Sequence, residues 1–190
     1  DITDLKELQA TINDRARESD MLRQATTALT SSLELDQVLD RILINLEQVV
    51  PFDSAAVFLF DKDTLLGMAS RGRVDRAAFV GQRFNGQDGL FLEILESQRP
   101  LILEDASLEP RFHRWAGTEY VHGWMGTPMI VRGEVIGYLT CDNQSPGMYN
   151  TSHAQLAMSF AAQAGIAIEN ARLFQAQKQE LLRSRTLQQV

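Results

Sequence analysis

The spacing of apolar residues changes twice along this chain, from a helical period at both ends to a strand period between them. Residues 1–32 contain neither Pro nor Gly. Alternating three- and four-residue steps connect Leu5, Leu8, Ile12, Arg15, Ser19, Leu22, Thr26 and Leu29. Such a heptad row predicts a long helix that either pairs with a partner helix or packs on its own domain.

Two further helices are predicted, one before the strands and one after them. Residues 36–50 place their apolar side chains on one helical face, with Asp36 as the N-cap and Pro51 as the stop. The last helix is predicted to begin near Thr151 or Ser152 and to run to the end. A stripe of mostly small residues would let another helix approach it closely: Ala157, Ala161, Ala164, Ile168 and Ala171.

The middle of the chain has the short apolar runs and turn residues of β-structure. Residues 61–63 and the pair 132–133 are predicted turns of two hairpins. Residues 73–89 are expected to be irregular, 88–97 to form a short helix, and 105–123 to form a loop or short helix. The runs that predict strands are 54–60, 65–71, 100–103, 124–131 and 135–142. The predicted fold class is α+β, with a central antiparallel sheet of about five to six strands, helices on both faces and long terminal helices.

Composition and charge exclude several classes of function. An apolar fraction of 44% excludes wholesale disorder, and no apolar run approaches the ~20 residues of a membrane helix, so no membrane segment is expected. The net charge of −7 is concentrated in residues 25–171, which argues against nucleic acid as a partner of this domain. Cys141 is the single cysteine, so no internal disulfide can form, which favours a reducing, cytoplasmic location.

The sequence shows none of the common catalytic motifs. GxGxxG, P-loop, HExxH and GxSxG patterns are missing, and His113, His122 and His153 are not spaced as a metal set. No enzyme activity, metal or cofactor is therefore predicted for this segment. Aromatic residues are concentrated between Phe112 and Tyr138, where they either fill the core or line a pocket.

Six segments, taken in order, resemble the GAF domain, a sensory small-molecule-binding module of signalling proteins. The segments are 35–43, 52–60, 98–106, 110–112, 126–139 and 162–174. The resemblance divides the chain into a connecting or dimerisation helix (1–21), a GAF-like sensor domain (22–172) and an outgoing helix (173–190). It implies that the first and last helices cover one face of the sheet. A ligand cavity would lie on the other face, under a roof formed by 88–97 and 105–123.

With the faces set by the resemblance, strand alternation assigns side chains to this cavity. The expected lining is Phe58, Phe84, Phe112, Trp115, Trp124, Tyr138, Thr140 and Asp142. Arg111, His113, Arg114 and His122 are expected near its mouth. This set favours a small, flat, partly apolar ligand of unknown identity, with a carboxylate or single negative charge at the entrance. Alternatively, Arg111 and Arg114 pair with Glu109 and Glu119.

Several ligand chemistries of GAF-like proteins have no counterpart in this sequence. Bilin attachment requires a cysteine in the roof, and the roof has none. Cys141 lies on the last strand, where alternation points it toward the helices and predicts an unreactive thiol. The Asn-Lys-Phe-Asp-Glu signature of the cyclic-nucleotide-binding members is missing, and one cysteine is too few for the methionine-sulfoxide reductases. The resemblance is therefore to the non-bilin type.

The favoured function is that of a regulatory sensor domain in a larger cytoplasmic signalling protein, such as a two-component system. The chain would form a homodimer through its terminal helices and pass ligand binding to an output domain of the same chain. Beyond Phe174, apolar Leu181, Leu182 and Leu187 also need a partner. The dimer residues expected are Leu5, Leu8, Ile12, Leu22, Ala164, Ile168 and Ala171. A ligand-free dimerisation spacer is the alternative, and a redox sensor using Cys141 or a haem or metal sensor using histidine is less favoured.

Overall fold

The first helix, α1, runs without interruption from Ile2 to Glu47. The computed structural model describes residues 2–115 and 117–187, and within α1 it describes the side chains of residues 5–19 and 34–47. The prediction of two helices separated before an N-cap at Asp36 was therefore wrong. Since Pro and Gly are missing from residues 1–50, nothing local obliges the helix to end there, and Asp36 lies inside it. The predicted heptad residue Leu22 lies outside the described side chains.

Six strands form a single antiparallel sheet, which confirms the predicted fold class. The strands are β1 (Ser54–Asp61), β2 (Thr64–Gly72), β3 (Arg83–Asn85), β4 (Leu101–Leu103), β5 (Gly123–Val131) and β6 (Glu134–Asn143). Their order across the sheet is β3-β2-β1-β6-β5-β4. Both predicted hairpins are present, and the β5–β6 turn places Arg132 and Gly133 at φ 53° and 80°. Consecutive left-handed residues match the right-handed twist of a tight hairpin.

The segment from 73 to 89 is more regular than its glycines predicted. It forms a one-turn helix, α2 (Arg76–Phe79), followed by edge strand β3. Gly67 explains how α2 fits, because a Cβ on that glycine would lie 2.4 Å from the carbonyl oxygen of Phe79. The missing side chain lets the end of α2 approach β2 closely, and the local secondary-structure propensities do not predict this contact.

The first and last helices pack on the same face of the sheet. The last helix, α4, spans Thr151–Leu187 and begins where Asn150 Oδ1 accepts a hydrogen bond from the backbone N–H of His153. The strand side chains that point to this face form a buried core with the two helices. They are Ala55, Val57, Leu59, Met125, Met129, Leu139 and Cys141. Arg71 and Arg76 add ion pairs to Glu47 and Asp40 of α1.

The small-residue stripe of α4 faces this core. Ala164 is 0% exposed and Ile168 is 1% exposed, and both pack within the helix-side core. Both side chains are therefore covered within the chain in this arrangement, and a dimer contact through them stays a prediction. Ala171, at the end of the stripe, is partly exposed.

The opposite face of the sheet has its own core and a separate roof. Helix α3 (Gly89–Ser97) begins at Asp88, whose carboxylate accepts from the backbone N–H of Leu90 at 2.9 Å. A 3₁₀ helix at Ala106–Leu108 and the loop that follows complete the roof. The other alternation of the strands contributes Ala56, Phe58, Trp124, Val135 and Tyr138 to this second core.

Apolar side chains remain exposed where α1 and α4 extend beyond the sheet. Leu8 is 61% exposed and Ile12 is 54% exposed on α1, and Leu5, Leu181 and Leu187 are also open to solvent. Among the helices of the described residues, we find none that combines the length and apolarity needed to cross a bilayer.

Candidate functional site

A cavity of about 210 Å³ lies between the second face of the sheet and the roof. Side chains from β1, β3, α3, β5, β6 and the roof loop surround it. The lining residues are Ala56, Phe58, Val74, Phe84, Asn85, Asp88, Leu90, Phe91, Phe112, His113, Arg114, Trp115, Thr118, Val121, Trp124, Thr140 and Asp142. The cavity is thus mainly apolar with a few polar groups, as small-molecule sites usually are.

Six aromatic side chains form the cavity walls and support one another. Phe84 lies 5.4 Å from Phe58 and 5.2 Å from Trp115, measured between ring centroids. Trp124 contacts Phe91 and Phe112 edge-on, at 6.3 and 5.9 Å. Aromatic rings at these distances stabilise each other beyond the area they bury. The walls therefore have defined positions.

The polar wall of the cavity is centred on Asp142. The Tyr120 hydroxyl lies 2.7 Å from Asp142 Oδ1 and 2.8 Å from Ser54 Oγ, and Ser54 in turn accepts from the backbone N–H of Val74. Burial raises the pKa of Asp142 to about 7, even though the hydrogen bond from Tyr120 acts in the opposite direction. Burial also raises the pKa of Tyr120, so its hydroxyl remains a donor at neutral pH.

Asp142 is also connected to the segment that leads out of α1. The backbone N–H of Asp53 donates to the Asp142 carbonyl at 2.8 Å, and Asp53 Oδ2 accepts from the backbone N–H of Gln144 at 2.8 Å. The Arg73 guanidinium lies over the Tyr120 ring, 4.7 Å from its centroid. These hydrogen bonds connect the end of β6 to Asp53, the residue before β1.

The polar groups of the roof mostly have partners within the roof. Asp88 contacts His113 Nδ1 through its second oxygen at 3.0 Å, in addition to capping α3. Arg114 Nη2 donates to the carbonyl of Val121 at 2.9 Å. The Thr118 hydroxyl donates to the Trp115 carbonyl at 2.7 Å. These bonds hold the roof loop in shape.

The structure brings seven of the eight expected lining residues to the cavity. Tyr138 is the exception, since it is buried beneath α3 and donates its hydroxyl to the Phe91 carbonyl at 2.9 Å. Burial raises its pKa to about 12. Tyr138 thus attaches α3 to the sheet, and ligand binding by the other seven stays a prediction.

Two of the four residues expected at the mouth do not line the cavity. Arg111 forms ion pairs with Glu93 and Glu109, which raise the pKa of its guanidinium. His122 lies 3.0 Å from Asp105, whose pKa is lowered to about 2 chiefly by hydrogen bonds from Ser107. The pairing of Arg111 with Glu109 was one sequence alternative, whereas Arg114 contacts the Val121 carbonyl rather than Glu119.

Sequence reasoning did not assign Asp88, Phe91 and Tyr120 to the site. Asp88 and Phe91 both lie in the helix predicted over 88–97. The available signals were the N-cap position of Asp88 and the place of Phe91 in the first turn, facing the sheet. Tyr120 contacts Asp142 because of the path of the roof loop, and the spacing of apolar residues does not predict that path.

Cys141 faces the helices, as alternation predicted, and it is fully buried in the helix-side core. Burial raises the pKa of its thiol, which disfavours the reactive thiolate. Its lack of reactivity remains a prediction. Within the described part of the chain, His, Cys, Asp and Glu side chains form no group of three or more that could hold a metal ion.

Comparison with known proteins places this architecture. A family model described as the GAF domain matches residues 34–168. The GAF domain of a phosphoenolpyruvate-protein phosphotransferase from Coxiella burnetii is 25% identical, with 82% of this chain and 96% of that chain covered and a TM-score of 0.67. The type II free methionine-R-sulfoxide reductase from Thermoplasma acidophilum shares the fold at 15% identity, with 74% and 96% covered and a TM-score of 0.63.

Curated relatives extend the likeness to a regulatory protein. Nif-specific regulatory proteins of Azospirillum lipoferum and Azospirillum brasilense are each 27% identical over 127 residues. The match covers 64% of this chain and 20% of each relative. The chain therefore spans about a fifth of the length of the curated relatives it matches.

Proposed function

Because the chain belongs to the GAF domain family, we propose that it is the regulatory sensor domain of a larger signalling protein and binds a small molecule in the cavity under α3. The cavity of about 210 Å³, with six aromatic walls and the carboxylate of Asp142 among its lining, is the observation that carries this proposal. Its likeness to the Nif-specific regulatory proteins supports a regulatory role. A ligand-free spacer would instead be expected to fill this space with its own side chains.

Ligand binding would be transmitted through the helices. Asp142 lines the cavity, and its carbonyl holds Asp53 in the connection from α1 to β1. A ligand that favours one position of this connection would favour one arrangement of the helices, as any population shift requires. We propose that residues 1–21 and 173–190 carry this change as connecting helices to an output domain of the same protein. That output is a kinase, cyclase, phosphodiesterase or transcription factor, acting in the cytoplasm.

We propose no catalysis for this segment. Cys141 is directed toward α1 and α4, on the opposite side of the sheet from the cavity, so its thiol does not reach a bound molecule. The shared fold of the methionine-R-sulfoxide reductase therefore supports the architecture alone.

A thermal-shift screen against small organic compounds tests the cavity. Native protein with a ligand at about 100 times its Kd gains about 2.7 kcal/mol, which raises Tm by roughly 5–10 °C. We expect Trp124→Ala to lose this shift, because Trp124 forms a cavity wall. Met125→Ala is the matched control, since Met125 is the next residue of β5 and faces the helix-side core. Equal shifts in native protein and the Trp124 variant would place the ligand elsewhere.

We also propose that the chain forms a homodimer through the exposed apolar row of α1. Leu8→Glu combined with Ile12→Glu should convert a dimer into monomers, and both side chains are exposed enough for the domain to stay folded. Analytical ultracentrifugation at tens of micromolar measures the mass. The control places Glu at Ala10 and Asn13, which lie off the heptad row. A native chain that sediments as a monomer would contradict the dimer.

A further inference from the structure

Several polar groups around the cavity already have hydrogen-bond or ion-pair partners within the protein. Asp88 caps α3 and contacts His113, and Arg114 donates to the Val121 carbonyl. Arg111, the expected contact for a negative ligand, is outside the lining and is paired with Glu93 and Glu109. An anionic ligand would thus enter a cavity with two carboxylates in its wall, and the nearest basic groups would have to leave their partners.

Asp142 is the carboxylate with the most to gain from a positively charged partner. It lies on β6 beside the lining residue Thr140, and Tyr120 supplies one neutral donor to its Oδ1. Burial and the nearby carboxylate of Asp53 disfavour its charged form, and the backbone N–H of Ser54 and the Arg73 guanidinium offset this only in part. A ligand cation would compensate the buried charge directly, because charge-assisted hydrogen bonds are stronger than neutral ones.

The aromatic walls favour the same kind of ligand. Phe58, Phe84, Phe91, Phe112, Trp115 and Trp124 offer ring faces and edges around the cavity. The faces of aromatic rings attract cations, and indole rings do so most strongly. The same rings also stack on a flat apolar body. Both parts of an arylalkylamine therefore find complementary surfaces.

The size of the cavity limits the ligand. An apolar cavity of about 150 Å³ accommodates benzene. A cavity of about 210 Å³ leaves room for one ring and a short chain, below the ~300–1,000 Å³ of sites for drug-sized molecules. A nucleotide or an extended tetrapyrrole exceeds this space.

We infer that the cavity recognises a small organic cation, a protonated amine on an aromatic body, with the nitrogen bound to the carboxylate of Asp142. This inference rests on the proposed sensor function and specifies the ligand class of the same site. It reverses the charge that the sequence favoured, because the structure pairs Arg111 with acidic residues.

Proton linkage supplies a signature of this contact. An alkylamine stays protonated well above neutral pH, whereas burial raises the pKa of Asp142 to about 7. Amine affinity should therefore fall by about tenfold per unit below pH 7 and level off above it, since the proton must leave the carboxyl group first. The groups around Asp142 are Asp53 at the start of β1, Arg73 after β2, Tyr120 in the roof loop, and His113 and Arg114 along the cavity.

Isothermal titration calorimetry of the full chain at pH 8 tests the inference with three probes of similar size. These are 2-phenylethylamine, its neutral isostere 2-phenylethanol, and the anion phenylacetate. We expect the amine to bind native protein at least about tenfold more tightly than the alcohol, the low end for a hydrogen bond between charged groups. Asp142→Asn should abolish this preference. Asp75→Asn is the matched control, since Asp75 caps α2 outside the cavity lining and asparagine caps helices as well as aspartate does, and it should keep the preference.

The outcomes separate this inference from the proposed function. Binding of the alcohol or phenylacetate as tightly as the amine would overturn the cation preference and leave the cavity as a ligand site. A failure of all three probes to bind, together with a negative thermal-shift screen, would overturn both. The pH profile of native protein needs no variant, and an amine affinity that is constant between pH 5 and 8 would also overturn the contact with Asp142.

Discussion

Replacing Gly137 by alanine is expected to prevent folding or to lower the free energy of unfolding by more than about 4 kcal/mol. Gly137 lies in β6 opposite Leu59 of β1. A Cβ at this position would lie 2.0 Å from the Phe58 carbonyl oxygen and 2.5 Å from Met129 Cε. Because the nearer atom belongs to the backbone of a central strand, the clash can be relieved only by separating β1 from β6. Urea denaturation followed by circular dichroism measures the loss.

Gly133→Ala is the control for this prediction. Gly133 lies in the same β5–β6 hairpin, and nothing is within 4 Å of its ideal Cβ position. Its φ of +80° makes alanine unfavourable by about 1–2 kcal/mol without any clash. If Gly137→Ala costs no more than Gly133→Ala, then β1 and β6 do not approach each other as closely as the structure shows.

Replacing Asp142 by asparagine is expected to have a pH-dependent effect on stability. The free energy of unfolding of Asp142→Asn minus that of native protein should be about 2 kcal/mol higher at pH 8 than at pH 4. Burial raises the folded-state pKa of Asp142 from 3.8 to about 7. Between these pH values the folded state binds the extra proton, so the contribution of Asp142 to stability falls as pH rises and levels off above pH 7. Each pKa unit corresponds to about 1.4 kcal/mol, and water at the cavity mouth screens part of it.

Free energies of unfolding of both proteins at pH 4, 5.5, 7 and 8 test this expectation. Tyr120→Phe is an informative second variant, because it removes the hydrogen bond that opposes the effect of burial on the pKa of Asp142. The pH dependence attributed to Asp142 should then extend to higher pH. A constant difference between native protein and Asp142→Asn from pH 4 to 8 would show that this carboxyl group titrates normally in the folded chain.

With the faces set by the resemblance, strand periodicity predicted four lining residues, because alternation is a local property: Phe58, Trp124, Thr140 and Asp142. Side chains of one strand alternate between the two faces, so once Asp142 of β6 is assigned to the cavity face, its neighbour Cys141 must point to the other. Tyr138 shows the limit of this reasoning. Alternation placed it on the correct face, but its hydroxyl meets the Phe91 carbonyl only because α3 crosses above it.

Where local signals did not decide the outcome, the physical cause is competition between a local signal and a distant contact. Asp36 has the residue type of an N-cap, yet helix propagation through a segment without Pro or Gly prevails, and packing of the following turns on the sheet holds α1 in place. Arg111 belongs to a roof loop whose path brings Glu93 of α3 within 2.9 Å. A pairing across 18 residues of sequence has no periodic signature.

Because α1 is continuous, it also fixes the rotational orientation of its N-terminal end relative to the sheet. A helix of 46 residues is roughly 69 Å long, and each residue turns the chain by about 100°. A surface attached at its N-terminal end therefore faces a direction, relative to the sheet, that depends on the number of residues between them. Deleting one residue would turn that surface by more than a quarter of a circle, whereas deleting seven would leave it within about 20° of its starting direction. The length of α1 can therefore change by seven residues with little effect on the direction of the attached surface, whereas other small changes in length rotate it.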